Sequence, residues 1–125
     1  DPTLVEPGCY VEDINRVGPT FLKMGALRFL NQHLKTPFEG MLSPAAGRAK
    51  LAGYLYQREP EPGSLAVQVT HDNILAVLVA ELEGRDAIDE AHWPWMMEGL
   101  WVWFEDARMH WVWRGHHGHR DLALA

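Results

Sequence analysis

Thr70-His71-Asp72-Asn73 is the stretch of this sequence best equipped for chemistry. It follows the largely apolar Leu65-Ala66-Val67-Gln68-Val69 and precedes the apolar run from Ile74 to Ala80. Polar residues between a buried strand and a helix sit where open α/β sheets bind ligands, at the carboxyl ends of their strands. The helix beginning at about Asn73 directs unsatisfied backbone N–H groups and the positive end of its dipole at that spot. A phosphate or other oxyanion fits there for those reasons. His71 would donate a charged hydrogen bond to the anion, the amides from Asn73 onward would complete the cradle, and Asp72 would hold or give a proton. The same residues also admit a structural reading, in which Thr70 or Asp72 caps the helix and His71 is a turn residue.

Other reactive side chains are less well placed. His110, His116, His117 and His119 gather near the C-terminus, and neutral imidazole is the commonest transition-metal ligand. Their spacing matches no closed zinc motif and no cysteine assists, so neither a metal nor a cofactor is expected. The six tryptophans could stack on sugars or bases, but at alternating hairpin positions they are expected to fill a core or an interface. Cys9 reads as a small buried hydrophobe, and His33 and His92 as surface or loop histidines.

The elements that would position these groups follow from periodicity. Leu65 to Val69 is almost continuously apolar, which predicts a strand covered on both faces, as in a parallel sheet. Ile74, Leu75, Val77, Leu78, Val79 and Leu82 predict a buried helix that Gly84 stops. The acidic stretch from Glu81 to Glu90 must be solvated. Upstream, Phe21, Leu22, Met24, Leu27, Phe29, Leu30 and Leu34 recur at helical spacing and predict a helix over 20–34, with Pro19 in its first turn. Gly25 weakens that helix and Pro37 lies beyond its end. Ser43 as N-cap and Pro44 at the first helical position open another helix, reaching about Gln57. Glu59 to Ser64 is a loop of breakers, and Asp1 to Gly18 an irregular opening segment. Gly99 to Phe104 and His110 to Trp113 predict two strands joined by a turn at Glu105 to Arg108. Trp101 and Trp103 would share one face of the first, and Trp111 and Trp113 one face of the second. Residues 116–125 are expected to form a flexible, histidine-rich tail.

Composition bounds the function. A chain of 125 residues corresponds to one domain, large enough for a real core. Its net charge of −6 argues against a nucleic-acid partner, which would call for a basic face. A single cysteine precludes an internal disulfide and leaves a reducing, cytoplasmic location as the default. No basic start followed by an apolar run marks a signal peptide, and Ile74 to Ala80 is too short to cross a bilayer, so no membrane partner is expected.

Val69-Thr70-His71-Asp72-Asn73-Ile74-Leu75 resembles the C-terminal His-Asp motif of the histidine phosphatase superfamily, in the branch of acid phosphatases and phytases. Trp93-Pro94, Met97-Glu98-Gly99-Leu100 and Trp113-Arg114-Gly115 resemble the hairpin that follows the motif helix in bacterial members. Pro7-Gly8-Cys9-Tyr10-Val11 with Asp13 is similar to the middle of such domains. The resemblance covers residues 1–115 and is most specific from 65 to 115. It implies an α/β fold, part of a three-layer sheet with packed helices and a C-terminal tryptophan-rich hairpin. It implies phosphoester hydrolysis through a phosphohistidine, on a phosphorylated small molecule or phosphoprotein. His71 would stabilise the transferring phosphoryl group and Asp72 protonate the leaving oxygen, with phosphate held by His71 and Asn73. The family's nucleophile lies in an Arg-His-Gly motif, and none occurs here. His117-Gly118-His119-Arg120 echoes it only in part, with His116 where the arginine should stand. The chain therefore looks like the C-terminal half of such a domain, completed by an N-terminal half or by a homo-oligomer. The alternative is a non-catalytic binding or assembly module that keeps the scaffold without the nucleophile.

Overall fold

A computed structural model describes residues 3–4 and 9–122. Pro7-Gly8 and the last three residues of the predicted tail lie outside them. The described residues form four helices, one short 3₁₀ turn and a three-stranded antiparallel sheet, a mixed α/β architecture.

Helix α1 spans Ile14–Met24 and α2 spans Ala26–Lys35. The sequence pattern predicts one helix over 20–34 where the structure has two, with an earlier start. Asp13 accepts the backbone N–H of Arg16 and caps α1, so Pro19 falls inside the helix and not in its first turn. Gly25 divides the pair at φ 80° and ψ 157°, backbone that glycine adopts without steric cost. Its N–H donates to the Phe21 carbonyl and closes α1.

Helix α3, Pro44–Gln57, starts as predicted, with the Ser43 hydroxyl accepting the Ala46 N–H. Helix α4, Asp72–Leu82, is the centre of the fold. Ile74, Ala76, Val77, Leu78, Val79, Ala80 and Leu82 are all buried. It packs against α2 and α3. Beyond it, the Asn31 side chain grips the backbone of Ile88 from both sides, donating to its carbonyl and accepting its N–H, each at 2.6 Å. No helix among the described residues is long and apolar enough to cross a membrane.

Strands β1 (Trp101–Glu105), β2 (Arg108–Trp113) and β3 (His116–Asp121) follow in meander order. The predicted hairpin is present, joined by Asp106 and Ala107 at φ 55° and 59°. The predicted patternless tail is not found over 116–121. Arg114 and Gly115, at φ 49° and 80°, make a second two-residue turn whose twist suits a hairpin and folds β3 onto β2. The inner face carries Met109, Trp111 and Trp113, all buried, and the first two join the helical core. Gly118 lies opposite Trp111, and a Cβ there would come within 2.5 Å of the indole.

The buried strand predicted at Leu65 to Val69 is absent. The segment is irregular backbone between α3 and α4, with Leu65, Val67 and Val69 at 69%, 76% and 76% exposure. A parallel strand needs a neighbour on each buried side, and the chain's only described sheet is the C-terminal meander. His33 also departs from expectation. It is fully buried, with Nδ1 accepting the Phe38 N–H at 3.2 Å and Nε2–H donating to the Leu42 carbonyl at 2.8 Å.

Candidate functional site

Thr70 to Asn73 lead from the exposed apolar segment into α4. Thr70 donates through its hydroxyl to the Leu4 carbonyl at 2.5 Å and ties this junction to the opening segment. His71 is the N-cap residue in extended backbone, with no capping bond from its ring, and is exposed. Asp72 opens the helix beside it and is also exposed. The two candidate catalytic residues therefore reach solvent at the end of a rigid, buried helix.

The bonds already made there bear on both readings of the site. Asp72 Oδ1 accepts the Asn73 N–H at 2.7 Å, and Asn73 Oδ1 accepts the Ile74 N–H at 2.9 Å. Two amides expected to cradle an anion are thus covered by the site's own side chains. An incoming phosphate would have to displace those short local bonds. Asp72 Oδ2 accepts the indole N–H of Trp93 at 2.9 Å. That contact joins α4 to the loop after the 3₁₀ turn (Glu90–His92), a link the sequence pattern does not signal.

The Trp93 loop is itself braced. Arg114 donates to both Glu98 oxygens at 2.7 and 2.9 Å, to the Ala91 carbonyl at 2.6 Å and to the Trp93 carbonyl at 3.0 Å. The guanidinium holds the Glu98 carboxyl below its ordinary range. Arg114 thereby fixes the stretch that carries Trp93, and through Trp93 the carboxylate of Asp72. Cys9 is buried as expected, and burial raises its thiol pKa, which makes it a poor nucleophile.

A second group of polar and aromatic residues, whose histidines the sequence pattern assigns largely to a flexible tail, covers the outer face of the sheet. Trp103, His110 and His119 align across the three strands, with His117 on the same face two residues from His119. The indole of Trp103 lies parallel to the rings of His110 and His117, at centroid distances of 5.3 and 5.5 Å. Its signal was the alternation of His117 and His119 about Gly118, legible only if Arg114-Gly115 is taken as a turn. Trp101 and Trp103 are exposed on this face, whereas Trp111 and Trp113 fill the interior as expected of hairpin tryptophans.

The chain matches no family model, no curated protein and no solved structure.

Proposed function

We propose that this chain is the His-Asp part of a phosphoester hydrolase of the histidine phosphatase type, within a larger three-layer domain. The observation that carries this reading is the segment feeding the site. Leu65, Val67 and Val69 have the residue types of an interior strand, yet they stand in solvent, and nothing described covers them. A chain missing the neighbouring nucleophile strand presents that surface directly before His71 and Asp72. In the completed site, His71 stabilises the phosphoryl group in transfer. Asp72 gives its proton to the leaving oxygen, and the α4 amides of Asn73 and Ile74 turn toward phosphate. The substrate is a phosphorylated small molecule or phosphoprotein, and the missing part is an N-terminal half.

The second reading, a non-catalytic binding or assembly module, is favoured by one contact. Both oxygens of Asp72 are engaged, one by the helix and one by Trp93. A carboxylate used in this way is a structural acceptor.

One experiment separates them. The chain is combined with a histidine-phosphatase N-terminal half bearing Arg-His-Gly, and hydrolysis of aryl and alkyl phosphates is followed. The catalytic reading expects acid-labile phosphate on the partner and a strong loss of turnover in His71→Ala. In Asp72→Asn it expects a loss of about 10²-fold or more on alkyl phosphates and much less on aryl ones, whose leaving groups need little acid assistance. Equal losses on both, with a lowered melting temperature, support the structural role of Asp72 instead. Turnover by the chain alone would overturn the division of the site.

A further inference from the structure

We propose that His110, His117 and His119 bind one divalent transition-metal ion, of the zinc, nickel or copper class, on the outer face of the sheet. His110 on β2 pairs directly with His119 on β3, and His117 is the diagonal neighbour on the same face. The three ring centroids stand 5.4, 5.5 and 6.0 Å apart. With metal–nitrogen bonds of about 2.0–2.1 Å and tetrahedral angles, three imidazoles on one ion have centroids about 5.2 Å apart. The backbone thus sets the rings within an ångström of a three-histidine site.

What differs is ring orientation. Nδ1 of His110 and Nε2 of His117 lie 3.2 Å apart, and Nδ1 of His119 meets the Arg108 guanidinium at 2.8 Å. The rings of His110 and His117 are parallel within 6°, and a centroid spacing of 5.4 Å places them edge to edge. Their facing nitrogens share one proton, so no three donors converge as the rings stand, and no ready-made metal cluster exists among the described residues. Rotation about the Cβ–Cγ bonds turns one lone pair from each ring to a common point. Each imidazole stays neutral, its proton carried on the nitrogen away from the metal. Arg108, whose cross-strand neighbour is Asp121, must release His119. The exposure of His117 and His119 leaves the ion an open path. Soft thiolates are absent, so the ligand set suits ions that accept imidazole.

The test is titration of the full chain, without any affinity tag, with ZnCl₂ by calorimetry. One ion per chain is expected. His110→Ala, His117→Ala and His119→Ala should each weaken binding by at least about tenfold, since even loss of an outer-shell partner costs that much. His116→Ala, on the opposite face of β3, should leave it unchanged. Circular dichroism checks that β3 persists, and glutamine replacements substitute where alanine loosens the strand. Cu²⁺ bound to the wild type should show nitrogen couplings from three imidazoles in its paramagnetic resonance spectrum. Equal weakening in His116→Ala, unchanged binding in His117→Ala, or no uptake at tenfold excess of metal would each overturn the site.

Discussion

Two glycines of α3 offer the same substitution in opposite surroundings. A Cβ at Gly47 would fall 2.0, 2.3 and 2.8 Å from ring atoms of Tyr10, whereas one at Gly53 meets nothing within 4 Å. Replacing an interior helical glycine by alanine gains up to about 1 kcal/mol through backbone entropy. Gly53→Ala should realise that gain, stabilising by about 0.5–1 kcal/mol. Gly47→Ala has the same intrinsic gain, but the buried Tyr10 ring would have to retreat by more than an ångström. Overpacking of this kind costs roughly 1–3 kcal/mol, so the net effect should be a loss of about 1–2 kcal/mol. The two variants should therefore differ by about 1.5–3 kcal/mol. At about 4 °C per kcal/mol for a chain of this size, their melting temperatures should lie roughly 6–12 °C apart. Urea unfolding with an unchanged m-value would establish that the difference is one of stability. In a Tyr10→Ala background the sign at Gly47 should reverse, because the obstacle is gone. Equal stabilisation by both variants would show that Tyr10 does not lie on α3. The docking of residues 9–11 against the helix that supports α4 would then be wrong.

His33 should make stability depend on pH. Burial lowers its pKa, against the opposing pull of the Leu42 carbonyl. The unfolded imidazole, near 6.5, takes its proton first, so this contribution is complete above that pH and declines as pH falls toward the lower folded value. Denaturant unfolding across that window should show the slope in the wild type and a flatter one in His33→Gln. Ala107→Gly should stabilise by about 0.5–1 kcal/mol, since Ala107 sits at φ 59° and an Asp-Gly pair suits such a turn; an unchanged melting temperature would refute this. Arg114→Lys keeps the charge but loses the fork that holds Glu98, Ala91 and Trp93. It should cost roughly 1–2 kcal/mol and speed amide exchange at Trp95 and Glu98. The exposed Leu65, Val67 and Val69 should drive association, so sedimentation at low micromolar concentration should find few monomers, and Leu65→Ser with Val67→Ser should restore them.

Legibility in the sequence followed the locality of the signal. The start of α3 is written in two adjacent residues, Ser43 and Pro44, and needs no tertiary context. The burial of α4 follows from apolar residues around its whole circumference. The division between α1 and α2 was visible as Gly25, but periodicity continues through it, and only the backbone angle shows that the helix stops. The remaining misreadings concern pairing partners. Leu65 to Val69 has strand composition, but a strand exists only where another supplies its hydrogen bonds, and composition cannot state whether that partner is present. The His116 to Asp121 stretch has few strand formers, yet it pairs along its full length because the Arg114-Gly115 turn delivers it to β2. His33 was read as superficial because its hydrogen-bond partners are backbone groups of Phe38 and Leu42, which leave no trace in side-chain patterns.

The two candidate sites differ in how completely this chain builds them. The three histidines of the sheet face are set by β2 and β3 alone, so their geometry depends on the register of one hairpin, and on the proposed reading they converge by a change of ring orientation once Arg108 releases His119. His71 and Asp72 are fixed by α4, and on the proposed catalytic reading a neighbouring strand would have to complete their surroundings. The segment before them is exposed, and the amides of Asn73 and Ile74 are occupied by the side chains of Asp72 and Asn73. Side chains that bond their own helix end are what an N-terminus adopts when no ligand or neighbouring element competes. An added strand along Leu65 to Val69 would bury that segment and bring new groups beside His71. The local bonds of Asp72 and Asn73 would then be the ones exchanged for substrate. The same bonds would persist unchanged in a module that never receives such a strand. The distinction between enzyme and scaffold therefore rests on the partner for residues 65–69, and not on any further feature of His71 or Asp72.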